Sequence, residues 1–523
     1  MERYSLDELA ALLARFNPWW AGGSTEDVPV FERPVLQDLF EWAVNPSVKD
    51  GADRVAVLVG ARQTGRSTLM RQLIRRLLDD GVPAENILFV PMSHPVFRLA
   101  QRQSIDKAWQ KAVRHAPGME HVFVDEAHID WSGMDLRCAD ACFYASSLQT
   151  WSGSFRDCSH GTGEDKPAVP RKVVVTMTHV SGDKRADPNT FSSLQTLNVF
   201  RIEPLSFREY LQIRGVPPGP VQALSSLFDL FAWSGEQFAR CSETAKRLNG
   251  HFRGYLLQGG FPRAALAGSV AEAQRILREE VLDRALKRDM SVLAEIRGLD
   301  EIEELFYQLC LNEGKQTDSE EMRCRIRVAE KTAARYLGML EAAYLIRHLG
   351  KNDSRPEAEP SWRLRQAVCL TDPALSSALL GRGEELFEDW PALERVVESA
   401  VCRHCAGRTS LLAESSIAAD CGISLSADDV SGGNGEGERI LCGRPYSSST
   451  PVPFPVRCRA ARTDESMVPG LLAFMRERGI ARAFVVTWEP DDFGPMALSQ
   501  PDLSVMRIPA SLFCYWLGRP NRA

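Results

Sequence analysis

RVAVLVGARQTGRST, residues 54–68, is the most informative stretch of this sequence. Its first half is β-branched and almost wholly apolar, which is typical of a strand buried on both faces of a parallel sheet. A glycine-containing loop follows, and a helical pattern runs from roughly Ser67 to Asp79. This order predicts a phosphate-binding loop, because backbone amides between the two glycines and the start of the helix both attract anions.

The candidate phosphate-binding residues are Gly60, Ala61, Arg62, Gln63, Thr64, Gly65, Arg66, Ser67 and Thr68. The hydroxyl of Ser67 is a candidate magnesium ligand. The full motif has lysine at the position of Arg66, and arginine replaces a compact point charge by a wider planar fork. We therefore expect phosphate binding to survive and hydrolysis to slow; the alternative is an ordinary glycine turn between a strand and a helix.

Further strand patterns follow along the chain and alternate with helical ones. They are ENILFVPM at 85–92, HVFVDEAH at 121–128, RKVVVTMT at 171–178 and NVFRIEPLS at 198–206. Alternation of strands and helices predicts βαβ units and a parallel sheet. The fold class is therefore α/β, with one α/β domain over about 50–205.

Two acids, Asp125 and Glu126, end the third predicted strand. An apolar strand delivers its terminal carboxylates to the edge of the sheet beside the phosphate loop. There Asp125 is expected to hold magnesium, and Glu126 to orient or deprotonate the attacking water. The alternative is a solvated strand end. Asp125-Glu126-Ala127-His128 also spells the box of one helicase class, but no second recombinase-like domain is visible in the sequence.

Polar and basic residues beyond the acids are further candidates for phosphate contacts. Thr176 and Thr178 end the strand at 171–178, where they either sense the γ-phosphate or cap the strand. Arg263, which follows a Gly-Gly-Phe-Pro turn, and the pair Arg288-Asp289 are candidates for stabilising phosphate charge from a lid or a neighbouring subunit. The alternative is that these are ordinary surface residues.

The remaining chain divides by pattern into an opening helical arm at 1–48, the core at 49–205, a helical lid at 206–295, a winged-helix segment at 296–382 and a tail at 383–523. The arm has a capping box, Ser5 with Glu8, and the pair Trp19-Trp20 offers a hydrophobic anchor. In the tail, SADDVSGGNGEGE at 426–438 is predicted to be a polar loop and IARAFVVTWEP at 480–490 a buried strand.

Composition narrows the class of protein. The chain has 523 residues with 44% hydrophobic and 25% charged residues, which excludes a single small module and a disordered chain. A net charge of −7 argues against a chain that coats nucleic acid throughout. No apolar run reaches the roughly 20 residues of a membrane span, so we expect a cytoplasmic protein with no membrane contact. The 13 cysteines are interpreted as reduced thiols.

The chain resembles the bacterial and archaeal AAA-type ATP-binding proteins in which an ATPase domain precedes a winged helix and a restriction-endonuclease-like tail of unknown function. The resemblance covers about 17–405 and rests on Asn17-Pro18-Trp19-Trp20, GARQTGRSTLM at 60–70, VFVDEAH at 122–128, Pro204 to Leu211, Gly259-Gly260-Phe261-Pro262, Arg288-Asp289, YLGMLEAAYLIRHL at 336–349 and Leu370 to Leu375.

This resemblance implies that Gly60 to Thr68 bind ATP and that Asp125 and Glu126 handle magnesium and water. Arg66-Ser67 departs from the family's lysine. Family members with nuclease residues carry an acid and a glutamate-x-lysine on core strands, whereas the counterpart here, PVRCR at 455–459, has no carboxylate. The resemblance thus implies a degenerate nuclease-like domain, for which we expect no nuclease activity.

Three clusters suggest further ligands. Cys138, Cys142, Cys158 and His160 would bind zinc if the chain folded back on itself, although cysteines at such spacing are more often core residues. The same holds for Cys402-Arg403-His404-Cys405. In the winged-helix segment Arg323, Arg325, Arg327, Lys331 and Arg335 form a basic cluster that either grips double-stranded DNA or is a solvated helix face.

The leading hypothesis is a slow ATPase in which ATP and Mg2+ act as a conformational switch, with the γ-phosphate contacted by Arg66, Thr176 and an arginine of the lid or of a partner. A non-hydrolysing scaffold that recruits a protein partner is one alternative. A DNA-associated ATPase in defence or DNA maintenance is the other. A homo-oligomer is compatible with each hypothesis.

Overall fold

The structure is a computed structural model, and it describes residues 4–23, 28–45, 54–100, 102–112, 120–126, 172–177, 198–217, 219–289, 299–312, 326–348, 368–405, 423–431, 437–445, 452–458 and 462–518. It divides into two compact units, Met1–Glu203 and Pro204–Ala523. The finer division into five segments stays a prediction. Among the helices that the structure describes, none combines the length and the apolar content needed to cross a membrane.

The first unit is built on a five-stranded parallel sheet. Its strands are β1 (Val55–Val59), β2 (Ile87–Pro91), β3 (His121–Asp125), β4 (Lys172–Met177) and β5 (Asn198–Arg201). Their order across the sheet is β2-β3-β4-β1-β5, and every neighbouring pair is parallel. This confirms the predicted α/β class. β5 is shorter than the predicted strand at 198–206, because Ile202 only continues one hydrogen bond to Val59 before the chain leaves the sheet.

Five helices accompany this sheet: α1 (Leu6–Phe16), α2 (Val35–Val44), α3 (Arg66–Asp79), α4 (Pro95–Leu99) and α5 (Arg102–Ala112). One face of the sheet packs against α2 and α3 in a core that contains Leu58, Phe89 and Phe123 from the strands and Leu73 from α3. All four side chains are at most 2% exposed. Strands β1 to β4 are therefore buried, as their apolar sequences predict, whereas β5 at the edge is partly exposed.

The N-terminal arm closes the β2 edge of the sheet. Asn17, fully buried, donates to the backbone oxygens of Leu13 at 2.8 Å and Phe89 at 2.9 Å, and accepts from Phe89 N at 2.7 Å. The indole nitrogens of Trp19 and Trp20 donate to Ile87 O at 3.2 and 2.9 Å. An edge strand otherwise presents unpaired backbone groups, so the predicted Trp19-Trp20 anchor and Asn17 together cover it. The capping box of Ser5 and Glu8 is present.

The second unit begins with helices, as predicted. They are α6 (Phe207–Ile213), α7 (Gly235–Gln258), α8 (Pro262–Ala265) and α9 (Val270–Ile276), followed by π-helical turns at Leu277–Leu282 and Arg284–Asp289. Next come α10 (Leu299–Leu311), α11 (Glu330–Ala342), an antiparallel pair β6 (Ile346–His348) and β7 (Val368–Leu370), and α12 (Ala374–Leu380). Helices followed by a strand pair match the predicted order, and the winged-helix assignment itself stays a prediction.

The tail contains α13 (Trp390–Cys405), an antiparallel sheet of β8 (Ile423–Ser431), β9 (Gly437–Pro445) and β10 (Val452–Pro453), and a mixed sheet. The mixed sheet has β11 (Val456–Arg457), β12 (Arg482–Thr487), β13 (Gly494–Pro495) and β14 (Ser504–Pro509) in the order β11-β12-β14-β13, with α14 (Pro469–Arg478) and α15 (Ala510–Leu517) beside it. β12 is the predicted late strand.

The predicted polar loop at 426–438 is wrong over most of its length. Residues 426–431 belong to β8 and residues 437–438 to β9, and the two strands pair in register from Ile423 with Pro445 to Ser431 with Gly437. Antiparallel strands tolerate polar residues because one face of such a sheet can remain in water. Polarity alone therefore did not distinguish a hairpin strand from a loop in this segment.

Four segments of the second unit meet at its first residues. Leu205 N donates to Gly260 O at 2.6 Å, and Tyr255 Oη donates to Leu205 O at 3.0 Å. Gly260 N in turn donates to the fully buried Asp372 at 2.6 Å. A Cβ on Gly260 would lie 2.3 Å from Leu205 O, so only glycine fits this turn. Burial raises the pKa of Asp372 to about 6.

Candidate functional site

The predicted phosphate loop runs from β1 to the first turn of α3. Gln63 and Gly65 have φ angles of 63° and 92°, whereas Thr64 between them has a negative φ. Alternation of left-handed and right-handed residues turns successive amides toward one concave side, which is the geometry of an anion-binding nest. Thr64 is buried and its hydroxyl donates to Ala61 O at 2.9 Å, which closes the loop from within.

Gly60 and Gly65 are each glycine for a different structural reason. A Cβ on Gly60 would lie 2.2 Å from the backbone oxygen of Ile202, so the close approach of these two chains excludes any side chain. Gly65 is the left-handed residue that caps the N-terminus of α3. Its conformation directs the free amides of the first helical turn toward the loop, where the helix also supplies partial positive charge.

Arg66, the residue that stands where the full motif has lysine, is the first residue of α3. It is only 8% exposed, so most of its guanidinium is enclosed by protein. Ser67 and Thr68 are partly exposed on the same turn. The loop thus retains its backbone cradle, while the cation at the lysine position lies inside the fold.

Ser67 and Asp125 meet at the carboxyl edge of the sheet. The hydroxyl of Ser67 donates to Asp125 Oδ1 at 2.9 Å, although the residues are 58 positions apart. Asp125 ends β3 and is 6% exposed. A hydroxyl and a carboxylate are oxygen ligands of the kind that Mg2+ prefers, so the two predicted metal ligands are brought together with suitable chemistry.

Thr176 lies between the loop and the acids, because β4 is inserted between β1 and β3 in the sheet. Its hydroxyl donates to Asp125 Oδ1 at 2.6 Å and accepts from Glu126 N at 2.7 Å. Thr176 is 1% exposed. The hydroxyl thus fixes both acids, a contact that the sequence did not predict, and its suggested sensing of the γ-phosphate stays a prediction.

Glu126 adopts a left-handed backbone conformation with φ of 57°. For a residue with a Cβ this conformation is strained, and such strain concentrates at functional sites. The hydrogen bond from its amide to Thr176 holds it there. Its carboxylate lies 3.8 Å from the guanidinium of Arg62 in the loop, with the two side chains 27% and 16% exposed. The predicted catalytic acid therefore faces the phosphate loop.

Several other predicted residues are only partly accounted for. Arg263 is ion-paired with Glu280 within the second unit, so its side chain is already engaged there. The side chains of Arg288 and Asp289 lie outside the described part of the chain, as do Thr178, Arg323 and Arg325, and the proposed zinc residues Cys138, Cys142, Cys158 and His160. Arg327, Lys331 and Arg335 are exposed at the start of α11.

In the second candidate zinc cluster, Cys402 to Cys405, the histidine has a structural role. His404 Nε2 accepts from Phe207 N at 2.8 Å, so its proton is on Nδ1 and is donated to Ala400 O at 2.6 Å. Burial lowers the pKa of His404 to about 3 and raises that of the Cys405 thiol. Nε2 thus joins α13 to the start of α6, whereas Nδ1 is used in a hydrogen bond within α13. Across the described ranges, no three His, Cys, Asp or Glu side chains group as a metal site.

The nuclease-like position contains one acid that the sequence did not indicate. Glu394 of α13 lies 3.3 Å from Arg457 Nη1 in β11 and accepts from Cys458 N at 3.0 Å. Its carboxylate is thus neutralised by an arginine and a backbone amide. The degenerate nuclease assignment stays a prediction.

Arg33 is the loop-contacting residue that sequence reasoning missed. Its Nη1 donates to the backbone oxygens of Thr64 at 3.3 Å and Glu203 at 2.9 Å. No motif or charge pattern marks an isolated arginine in FERPVLQ at 31–37. Its contacts depend on tertiary structure, since the two oxygens are 31 and 170 positions away.

Comparison with known proteins gives two family matches. Residues 52–132 match the family described as an AAA domain, and residues 249–386 match a domain of unknown function, DUF8612. A comparison with curated proteins gave no match. The parallel sheet, the loop after β1 and the first match show that the first unit has the fold of a P-loop NTPase, and its residues 52–132 are similar to the AAA domain family.

Two solved structures are similar at low identity. One is the ORC2 protein of Aeropyrum pernix in ADPNP–ADP complexes, with 13% identity, a TM-score of 0.32, and 72% of this chain and 96% of that chain covered. The other is Drosophila ORC bound to DNA, with 16% identity, a TM-score of 0.22, and 70% and 89% covered.

Proposed function

We propose that this chain binds ATP with Mg2+ in the loop from Gly60 to Thr68 and hydrolyses it slowly, so that nucleotide acts as a conformational switch. The observation that carries the proposal is the hydrogen bond between Ser67 and Asp125 at 2.9 Å. It brings a helix-start hydroxyl and a strand-end carboxylate together beside a loop of left-handed residues. An AAA-domain match over 52–132 supports the same reading.

The phosphates are proposed to lie against the backbone amides of Gln63 to Ser67. These amides converge because Gln63 and Gly65 have positive φ angles, and α3 adds its N-terminal partial charge. Arg66 is proposed to contribute positive charge from its buried position without the reach of a lysine. We therefore expect tight binding and weak stabilisation of charge at the γ-phosphate during hydrolysis.

Ser67 and Asp125 fit a magnesium ion by donor type, since both offer oxygen atoms at the mouth of the loop. When bound, Mg2+ would neutralise phosphate charge between these residues. Asp125 also accepts from Thr176 at 2.6 Å, which fixes the orientation of the carboxylate. Thr176 therefore supports the metal ligand in addition to any contact with phosphate.

Glu126 is proposed to orient and deprotonate the attacking water. Its amide is held by Thr176, and its carboxylate lies 3.8 Å from Arg62. The proton of the water would pass to a carboxylate oxygen of Glu126 as the water oxygen attacks the γ-phosphorus, while the bond from that phosphorus to the β–γ bridging oxygen breaks and ADP leaves with that oxygen. Because Arg62 lies in the phosphate loop, an incoming anion competes with Glu126 for its guanidinium.

The switch rests on contacts that depend on the γ-phosphate. Arg66 belongs to the loop and Thr176 bonds to the Asp125 carboxylate, and the contacts proposed between these residues and the γ-phosphate would be lost on its release. The ATP-bound and ADP-bound states would therefore differ in their side-chain contacts. Such a difference is the physical requirement for a ligand-driven switch.

The test is phosphate release from ATP by the native chain, Glu126→Gln and Arg66→Lys. We expect slow release that falls at least about tenfold in Glu126→Gln, since general-base catalysis contributes roughly 100-fold or more. Arg66→Lys is expected to raise the rate. Glu120→Gln is the matched control, because Glu120 adjoins the opposite end of β3. Equal rates in the native chain and Glu126→Gln would remove the ATPase assignment.

A non-hydrolysing scaffold is the second candidate, and the burial of Arg66 at the lysine position favours it. In that case ATP binds to the same residues, but no phosphate release depends on Glu126. A protein partner or a second copy of the chain would then bind selectively to the ATP-bound state. The phosphate-release series distinguishes the candidates, and light scattering with and without ATP measures self-association.

DNA association is a third candidate, for which the exposed Arg327, Lys331 and Arg335 at the start of α11 are the relevant observation. Cations on one exposed segment bind phosphates with a strong dependence on salt. We expect duplex binding to weaken as salt rises and to fall on charge reversal at Arg325 and Arg327. Unchanged binding in that variant would exclude the winged-helix segment as the DNA site.

A further inference from the structure

A short segment before α2 is fastened along the phosphate-loop helix. Gln72 of α3 donates from Nε2 to the backbone oxygens of Pro29 at 3.0 Å and Phe31 at 2.7 Å. Arg75, one turn further, is paired with Glu32 at 3.1 Å. We call residues 28–33 the strap. The strap is held by side chains of α3, so its position is fixed relative to the loop.

The strap ends in Arg33, whose guanidinium contacts the loop itself. Nη1 donates to Thr64 O at 3.3 Å and to Glu203 O at 2.9 Å. Arg33 is 9% exposed, so these bonds form away from bulk water, where a charged donor is strong. One cation thus joins the middle of the phosphate loop to the last residue of the first unit.

The contact to Thr64 has a consequence for the phosphate cradle. The oxygen of Thr64 and the amide of Gly65 belong to one planar trans peptide, so they point in opposite directions. By holding the oxygen, Arg33 fixes the Gly65 amide to point away from the strap. Gly65 caps α3, and its amide is among the donors available to a phosphate.

Residues 202–203 are tied to the base of the same loop by a second set of contacts. Ile202 N donates to Val59 O at 2.7 Å, directly before Gly60. The backbone oxygen of Ile202 would lie 2.2 Å from a Cβ on Gly60. There is therefore no free space between the loop and residues 202–203, and a shift of one displaces the other.

We propose that Arg33 is a positioning residue that orients the phosphate loop and couples nucleotide binding to residues 202–203, where the chain leaves the sheet. This inference rests on the proposed binding of ATP. Arg33 does not need to touch nucleotide to act. Its effect is to keep the Gly65 amide pointing toward the phosphate site, and to make the position of the Glu203 backbone oxygen depend on the conformation of the loop.

The variants are Arg33→Met, which removes the cation, and Arg33→Lys, which keeps the charge but replaces the guanidinium by an ammonium group. Arg75→Met is the matched control, because it removes a guanidinium that contacts the strap but not the loop. Binding of a fluorescent ATP analogue is measured directly and by displacement with inorganic tripolyphosphate, which has no base. Hydrogen exchange of residues 60–66 and 202–206 is followed with and without saturating ATP.

We expect Arg33→Met to weaken the binding of ATP and of tripolyphosphate by about 10- to 100-fold. This is the range expected when an oriented hydrogen-bond donor to a charged group is lost. Arg33→Lys should recover part of this loss, and Arg75→Met should change it by less than about twofold. ATP should slow exchange at 202–206 in the native chain. In Arg33→Met saturating ATP should protect 60–66 but not 202–206, an uncoupling that a purely structural role would not produce.

Native affinity in Arg33→Met, or ATP-dependent protection of 202–206 that survives there, would overturn the inference and leave ATP binding intact. Absence of binding in the native chain would refute the proposed function and this inference together. If Arg33→Met does not fold, Arg33→Lys decides, because unaltered affinity and protection in that variant would contradict the orienting role of the guanidinium.

Discussion

Replacing Thr176 by valine should disable the acid pair of the candidate site. Valine has nearly the same shape but lacks the hydroxyl that donates to Asp125 Oδ1 at 2.6 Å and accepts from Glu126 N at 2.7 Å. Asp125 keeps its bond from Ser67, whereas the Glu126 amide loses the hydroxyl that accepts its hydrogen bond in the left-handed conformation.

The magnitude follows from the two bonds. A buried hydrogen bond to a carboxylate contributes about 1.5–3 kcal/mol and a neutral one about 1 kcal/mol, so the free energy of unfolding should fall by about 3 kcal/mol. For a unit of about 200 residues this corresponds to a drop in Tm of about 6–12 °C. Glu126 should relax to negative φ, since left-handed residues with a Cβ cost roughly 1–2 kcal/mol.

The assays are thermal unfolding, hydrogen exchange at the Glu126 amide, and phosphate release. We expect a lower Tm, faster exchange at Glu126 and at least about tenfold slower release. Thr176→Ser is the control, because it restores the hydroxyl and should recover most of each loss. A Thr176→Val protein with native Tm and native exchange at Glu126 would refute the assignment of this hydroxyl as the support of both acids.

Three further predictions concern stability. Asn17→Ala should lower the free energy of unfolding by about 3 kcal/mol in denaturant titrations, because both backbone groups of Phe89 lose their buried partner; a change under about 0.5 kcal/mol would contradict the edge-capping role. Asp492→Asn should cost about 3–5 kcal/mol, since it leaves the buried Arg507 without its charge partner at 3.1 Å, and an unchanged Tm would refute this. Burial raises the pKa of Asp372 from 3.8 to about 6. The contribution of its protonated form to the free energy of unfolding is therefore fully present below pH 4, and about 3 kcal/mol of it is lost by pH 6 as the folded carboxyl is forced to ionise. Stability curves of the native chain and Asp372→Asn that stay parallel from pH 4 to 7 would contradict this.

The sheet could be predicted because its strands are local apolar runs. Val55–Val59 and His121–Asp125 read as buried strands without any partner in view. The loop and its acids were also predictable, since parallel strands place their carboxyl ends at one edge. The contact between Ser67 and Asp125 follows from that topology alone.

Other features depend on contacts between distant residues and have no local signature. Arg33 is an ordinary residue in sequence and acquires its role only when Thr64 and Glu203 approach it. Glu394 likewise reaches Arg457 from a helix more than 60 residues earlier. The β8–β9 hairpin was missed because its polar residues resemble those of a loop, while its strands are specified by pairing with each other.

The most direct test of the phosphate site is titration calorimetry of ATP with and without Mg2+, on the native chain and on Ser67→Ala. We predict that the native chain binds ATP more tightly with Mg2+, and that Ser67→Ala still binds ATP but loses most of this dependence, because Ser67 is one of the two proposed metal ligands. Absence of heat from ATP under both conditions, or an unchanged Mg2+ dependence in Ser67→Ala, would contradict it.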